Sequence, residues 1–247
     1  MRLTVSFLVS HQQAEGARVP LTPITGPQLL KLLRRQQVQR LVREYYAGAT
    51  AGSPPKFSGG RFELLGGGGD PASVRNVITA ADVVALNCVQ VPLTGRASLA
   101  LLEGLLGQTL RGHLERIPHD IDLFEPQARR HLVKGHAADQ AWELLKSQKD
   151  IGSVRAGKLL ARKRPRLIPI YDDVVRCAYG RRGLKDSFWL WLHAVLTNTD
   201  GLIERLEELK DGADVPTEVA PIRVLDAAVW RLHRDGHTRK SCPGLSF

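Results

Sequence analysis

Along most of the chain, apolar side chains return every three or four residues, the spacing that turns one face of an α-helix toward a core. From Gly26 to Tyr46 the apolar positions are Leu29, Leu30, Leu32, Leu33, Val38, Leu41 and Val42, with Pro27 at a first-turn position that tolerates it. Thr79-Ala-Ala-Asp82 opens the next helix with a capping box in which Asp stands where Glu is usual. From there the period predicts helices near 79–91, 96–115, 127–147, 152–163, 170–179, 186–197, 200–210 and 219–234, punctuated by Gly, Pro or Asp. The first quarter is different. Residues 1–25 read as a short strand or arm running into polar loop. Residues 47–75 carry Gly-Ser-Pro-Pro (52–55) and four glycines at 66–69, with Arg61-Phe-Glu-Leu-Leu65 between them as a short strand. The pattern predicts an arm, 1–25, followed by one mainly α-helical domain over 26–247 with an irregular, loop-rich N-terminal quarter.

Composition narrows the function classes. No run of 18 apolar residues occurs, so no membrane-spanning helix and no membrane partner is expected. The opening MRLTVSFLVSHQQ has too short an apolar patch, and no small-residue cleavage site, for a secretion signal. Cys88, Cys177 and Cys242 lie far apart with no CxxC, which argues against a disulfide framework or a four-cysteine metal site. A cytoplasmic location follows as the expectation. The histidines show no HExxH or similar spacing, so neither metal nor cofactor is expected. Asp226, inside an apolar helix before Trp230, stands out as a possible buried acid. Trp142, Trp189, Trp191 and Trp230 fall at helical positions suited to a core.

Charge changes the picture. Lys and Arg number 35 against 25 Asp and Glu, for a net charge of +10. Residues 151–185 hold ten basic groups and two acids, Asp172 and Asp173, or +8 in one stretch. Clustered arginine suits the forked geometry of phosphate oxygens, so a nucleic-acid partner is expected. Within this stretch, Arg155, Lys158, Arg162, Lys163, Arg164 and Arg166 are the candidate phosphate contacts, with a solvated charged face as the alternative.

The stretch also contains the most informative local pattern. An amphipathic helix ends near Lys146, a tight turn passes through Asp150-Ile151-Gly152, and a second helix starts at once. Ala156 is small enough to let the two helices cross closely. The new helix leaves its first backbone N–H groups unpaired and pointing outward, which suits Ile151, Gly152 and Ser153 to hold a phosphate without reading a base. Twenty residues after Gly152 comes Tyr171-Asp172-Asp173-Val174-Val175-Arg176. An Asp just after Pro169 is well placed to cap its own helix. It is also a residue type that stabilises the positive charge developing on a sugar when a glycosidic bond breaks.

Asp150-Ile-Gly-Ser-Val-Arg-Ala156 resembles the helix-hairpin-helix element, Gly-hydrophobic-Gly-x-x-x-Ala, with Asp150 in place of the first glycine. Together with Asp172 at its twenty-residue spacing, the stretch resembles the helix-hairpin-helix DNA glycosylases, whose motif continues hydrophobic-Asp-x-x-Val-x-Arg. Here the arginine comes one place early. The likeness covers about 130 to 180 strongly and the rest only in helical character. It implies a helix-hairpin-helix glycosylase-like domain with the hairpin at about 137–163, and a flipped base from duplex DNA as substrate. Asp172 would be the catalytic carboxylate at the mouth of the base pocket. Base recognition needs aromatic faces and carboxyl or amide groups, for which Tyr171, Tyr45, Tyr46, Phe62, Glu63 and Asn76 are the candidates. The family's Schiff-base lysine position is Val154, so a monofunctional, monomeric enzyme without lyase activity is expected, associated with the nucleoid. The iron–sulfur cysteines of some members are missing. The chain is also similar to a group of uncharacterised proteins from high-GC bacteria that share the Lys-Leu-Leu-Ala-Arg-Lys-Arg-Pro-Arg-Leu-Ile-Pro-type segment. The competing expectation is a non-catalytic helix-hairpin-helix DNA-binding module in a repair or phage-defence assembly. Whether Asp172 lines a base-sized pocket beside the hairpin separates the two.

Overall fold

The computed structural model describes residues 22–50, 52, 54–181, 187–238, 242, 244 and 245. Among these the chain is mainly α-helical, with twelve α-helices and no strand. The predicted arm lies almost wholly outside the described residues. Most of the long periodic stretches resolve into pairs of shorter helices. The 26–46 stretch is α1 (Gly26–Leu33) and α2 (Gln36–Tyr46), and α3 is Ala80–Cys88. The 96–115 stretch divides at Gly104 into α4 (Gly95–Leu102) and α5 (Leu105–Leu114). The 127–147 stretch divides into α6 (Ala128–Leu132) and α7 (Ala137–Lys146), where Val133 is extended and Gly135 takes φ 83°. Asp139 holds that break by accepting the Gly135 N–H at 2.7 Å. A break that keeps the apolar faces in register leaves the periodicity intact, which is why spacing alone did not reveal it.

The remaining helices follow their expectations closely: α8 (Gly152–Lys163), α9 (Asp173–Ala178), α10 (Phe188–Thr197), α11 (Leu202–Gly212) and α12 (Pro221–His233). The strand expected at 61–65 does not form. Two short 3-10 turns, Ser58–Arg61 and Leu65–Gly67, flank it, with Phe62 buried between them. Five consecutive carbonyls and amides there have no partner strand, and Gly66 needs φ 63°, so the segment coils instead.

One buried apolar cluster runs through the whole domain. At its centre is α12, buried around its circumference from Pro221 to Val229, as a helix enclosed by other helices must be. It packs against α2, α9 and α11. On another side α7 packs against α8, and α3 against α8. This arrangement brings the start of α8, the start of α9 and the middle of α12 to one place.

Candidate active site

The hairpin predicted between 137 and 163 is present as α7, a turn and α8. Ala156 is fully buried at the crossing, and the Trp142 indole N–H donates to the Ser153 carbonyl at 3.2 Å. Gly152 has φ 68° with open space where a Cβ would stand. Asp150, at the position of the first consensus glycine, has φ 74°. The departure from consensus therefore keeps the backbone shape, because Asp is among the few residues that tolerate the left-handed region. Ile151 is buried and anchors the turn, while Gly152 and Ser153 are exposed. No side chain caps the start of α8, so its first amides face outward.

Beside this turn lies a cavity of about 530 Å³, within the size range of small-molecule sites. Asp172 is on its wall. One oxygen, Oδ1, accepts the N–H groups of Val174 at 3.1 Å and Val175 at 3.0 Å, capping α9. The other, Oδ2, takes the Lys158 ammonium at 3.0 Å. Both readings of this residue's geometry are therefore present at once: a helix cap on one oxygen, and a partly exposed carboxylate in a cavity on the other. Val154, one turn before Lys158 on α8, also lines the cavity.

Tyr45, Tyr46, Phe62 and Glu63, expected as pocket residues, do line the cavity. Sequence reasoning missed Phe57, Arg223, Trp230 and Arg234, and flagged Asp226 only as unexplained. Phe57 stacks on Tyr45 at 6.0 Å between centroids, and the Arg234 guanidinium lies 4.6 Å over Trp230. Arg223 links the two buried acids, pairing with Asp226 at 2.9 Å and lying 3.9 Å from Glu63. Asp226 also accepts the Ile170 N–H at 2.9 Å. Burial pushes the Glu63 carboxyl up to about 7 against the pull of Arg223, and Asp226 up to about 6 against the same pull. One oxygen of each, Oε1 and Oδ1, has no hydrogen-bond partner. Both oxygens are buried behind the cavity wall, where a carboxyl without a hydrogen-bond partner is easier to hold neutral than charged.

Two expected pocket residues are elsewhere. Tyr171 stacks on Phe188 at 4.0 Å, turned away by the packing of α10. Asn76 uses its Oδ1 to hold Arg164 at 2.7 Å.

The larger correction concerns the basic stretch. Arg162, Lys163 and Arg164 are wholly buried and Lys158 nearly so, which removes them from any surface contact with phosphate. Arg162 and Lys163 grip the two oxygens of buried Asp82 at 3.0 and 2.9 Å. Arg162 also donates to the carbonyls of Phe62 and Leu65. Arg164 donates to the carbonyls of Ile117 and Arg75, both at 2.8 Å. These cations bind the irregular N-terminal quarter to α8. Its coiled carbonyls need donors, and long, forked side chains supply them. Arg166 is exposed but paired with Asp122, and half-buried Arg155 donates to the Pro92 carbonyl at 2.8 Å. Arg181 is also buried, 4.7 Å over the Trp191 ring, while Arg182 and Lys185 lie outside the described residues.

Among the described residues no helix is long and apolar enough to cross a membrane. Comparison with curated proteins and with solved structures finds no match. A family of unknown function, DUF6308, matches residues 38–233. The matched region runs from α2 to the last residue of α12 and includes the hairpin and the cavity wall up to Trp230, with Arg234 one residue beyond it. The chain is a member of the DUF6308 family.

Proposed function

We propose that the protein is a monofunctional DNA glycosylase that removes a damaged or modified base by hydrolysis. The observation that carries the reading is Asp172 on the wall of a ligand-sized cavity directly beside a helix-hairpin-helix turn. The exposed Gly152 and Ser153 amides would hold one DNA phosphate, and Lys149, exposed just before the turn, a neighbouring one. A flipped base would enter the cavity past Tyr45, Phe57 and Trp230, which line it and pack on one another. Asp172 would stabilise positive charge as the bond from C1′ to the base nitrogen lengthens. Water then adds through oxygen to C1′, its proton goes to solvent, and the base departs with the bonding electron pair. Glu63, held near neutrality in its titration, would supply the proton the departing base takes up.

Because Lys158, Arg162, Lys163, Arg164 and Arg181 are buried, few of the described basic groups in this stretch are left to meet phosphate. With two or three phosphates neutralised, the log–log salt slope of binding is expected near −2 to −3, by the rule of about 0.9 per phosphate.

Lys158 supports a second reading. Its amine lies in the same cavity, 3.0 Å from Asp172, and offers a nucleophile that Val154 does not. As a Schiff-base former it would add lyase activity.

The test is incubation with duplex oligonucleotides carrying deaminated, alkylated and oxidised bases, followed by alkali. The proposal expects strand breaks only after alkali, and no covalent adduct with borohydride. A trapped adduct lost in Lys158→Met would replace the first reading with the second. Binding without an abasic site on any duplex would leave the DNA-binding module, with Asp172 as a cap alone.

A further inference from the structure

We propose that Cys177, His233, His237 and Cys242 bind one zinc ion that fastens the segment following α12 to the helices of the cavity. The cluster is independent of the glycosylase reading and lies outside the cavity just described. Cys177 is on α9, His233 is the last residue of α12, His237 follows the 3-10 turn Arg234–Gly236, and Cys242 lies beyond. Their Sγ and ring-nitrogen atoms all lie within 4.8 Å of one another. The Cys242 Sγ is 3.2 Å from the His233 Nε2, and Cys177 Sγ is 3.8 Å from the Cys242 carbonyl oxygen. The two imidazole rings are tilted by 55° with centroids 5.3 Å apart, edges converging rather than stacking. Cys177, His233 and Cys242 are buried.

Zinc–sulfur and zinc–nitrogen bonds of about 2.3 and 2.0–2.1 Å put tetrahedral ligand atoms about 3.6 Å apart, close to this packing. The donor set decides the metal. Two sulfurs and two imidazoles exclude calcium and magnesium, which take oxygen; a two-iron centre with the same donors divides them between two metal atoms, whereas here all four ligand atoms lie within 4.8 Å of one another, as around a single ion. Four protein ligands leave no open position, which is the pattern of a structural site. On binding, each thiol releases its proton to solvent. One Zn²⁺ enters, two protons leave and no electron moves, so the buried site is neutral. His233, His237 and Cys242 stand at a ligand-like spacing that HExxH does not describe; Cys177 is far from them in sequence, and the packing of α9 on α12 closes the set.

The consequence reaches the cavity. Asp172 caps the helix that carries Cys177, and α12 carries Arg223, Asp226 and Trp230 before it ends at His233. A metal at this junction would brace two walls of the cavity from behind.

The test uses the full chain without a histidine tag, produced with zinc in the medium. Elemental analysis is expected to find one zinc per chain. Chelation followed by Co²⁺ should produce the visible absorption of tetrahedral thiolate-bound cobalt. His237→Ala and Cys242→Ser should each lose at least about tenfold in zinc affinity, while Cys88→Ser keeps one zinc per chain. Chelator should lower the melting temperature of the wild-type protein and not that of Cys242→Ser. Wild-type protein with no zinc and no cobalt spectrum would overturn the proposal. So would a Cys177–Cys242 disulfide in protein freshly purified under reducing conditions, or equal loss of zinc in Cys88→Ser.

Discussion

Two aspartates each receive a lysine from the same helix, and they do opposite things. Asp82 is fully buried, and its two oxygens are shared among Lys163, Arg162 and the Thr79 N–H and hydroxyl at the head of α3. Asp172 keeps 15% of its side chain exposed, spends one oxygen on capping α9, and meets Lys158 with the other on a cavity wall. The first pair is closed. Every atom that would act on a ligand is already occupied by the fold, so its charges do structural work. The second is open on one side, where a ligand can take up part of the carboxylate's field. Both hold an Asp–Lys contact, with Arg162 added at Asp82; solvent access and remaining hydrogen-bonding capacity separate scaffold from chemistry.

The closed pair sets the largest expected effect. Asp82→Ala leaves two buried cations without their counter-charge and is expected to cost about 3–5 kcal/mol of stability, read as a fall in the urea midpoint. Arg162→Ala should also show its loss in stability, with DNA affinity per folded molecule unchanged. A large affinity loss with full stability would contradict the internal role of that arginine.

The acids around Arg223 give the next effect. The folded protein holds a proton on Glu63 up to about pH 7, against an ordinary value of 4.5, and on Asp226 up to about pH 6, against 3.8. The folded state therefore binds more protons in these windows. The stability they contribute is full below the ordinary values and is lost as the pH rises through 6 to 7. Denaturation midpoints across pH 4–8 should show that decline, and Glu63→Gln should flatten its upper part. Glycosylase activity should fall above about pH 7 in the wild-type protein if Glu63 is the proton donor.

Smaller still is the hairpin. Asp150→Gly keeps a backbone that glycine adopts freely and removes a negative charge beside the phosphate-binding amides. DNA binding is expected to tighten by about three- to tenfold at low salt, matching about 0.6–1.4 kcal/mol, with less gain at high salt. An unchanged affinity would separate the turn from the DNA interface.

These contrasts show what could be read from residues alone. The helical character, the turn within 137–163 and the Thr79–Asp82 capping box were legible, because each follows from local spacing or a short motif. Tyr45, Tyr46, Phe62 and Glu63 were expected from side-chain chemistry alone, and Tyr171 and Asn76, expected on the same ground, are not on the cavity wall. The burial of Arg162, Lys163 and Arg164 was not. Their partners, Asp82, Phe62, Leu65, Ile117 and Asn76, are far away in sequence, and a run of cations looks the same whether its counter-charges are water or carbonyls. Arg223 and Trp230 were hidden for a related reason: on a helix buried all round, no polar face announces which side meets a cavity.

The most direct test of the central claim is Asp172→Asn, assayed for base release and thermal unfolding in the same preparation. Asn caps a helix about as well as Asp, so any stability that Asp172→Asn loses belongs to the Lys158 contact, and Asp172→Ala should lose about 1 kcal/mol more for the missing cap. The open carboxylate predicts that Asn lowers base release at least about a hundredfold, since one preorganised charged group contributes about 2.7–4 kcal/mol to a barrier. A stable Asp172→Asn protein that binds duplex DNA and no longer releases the base is the expected result. Full activity in that variant would contradict the account and leave Asp172, like Asp82, as part of the scaffold.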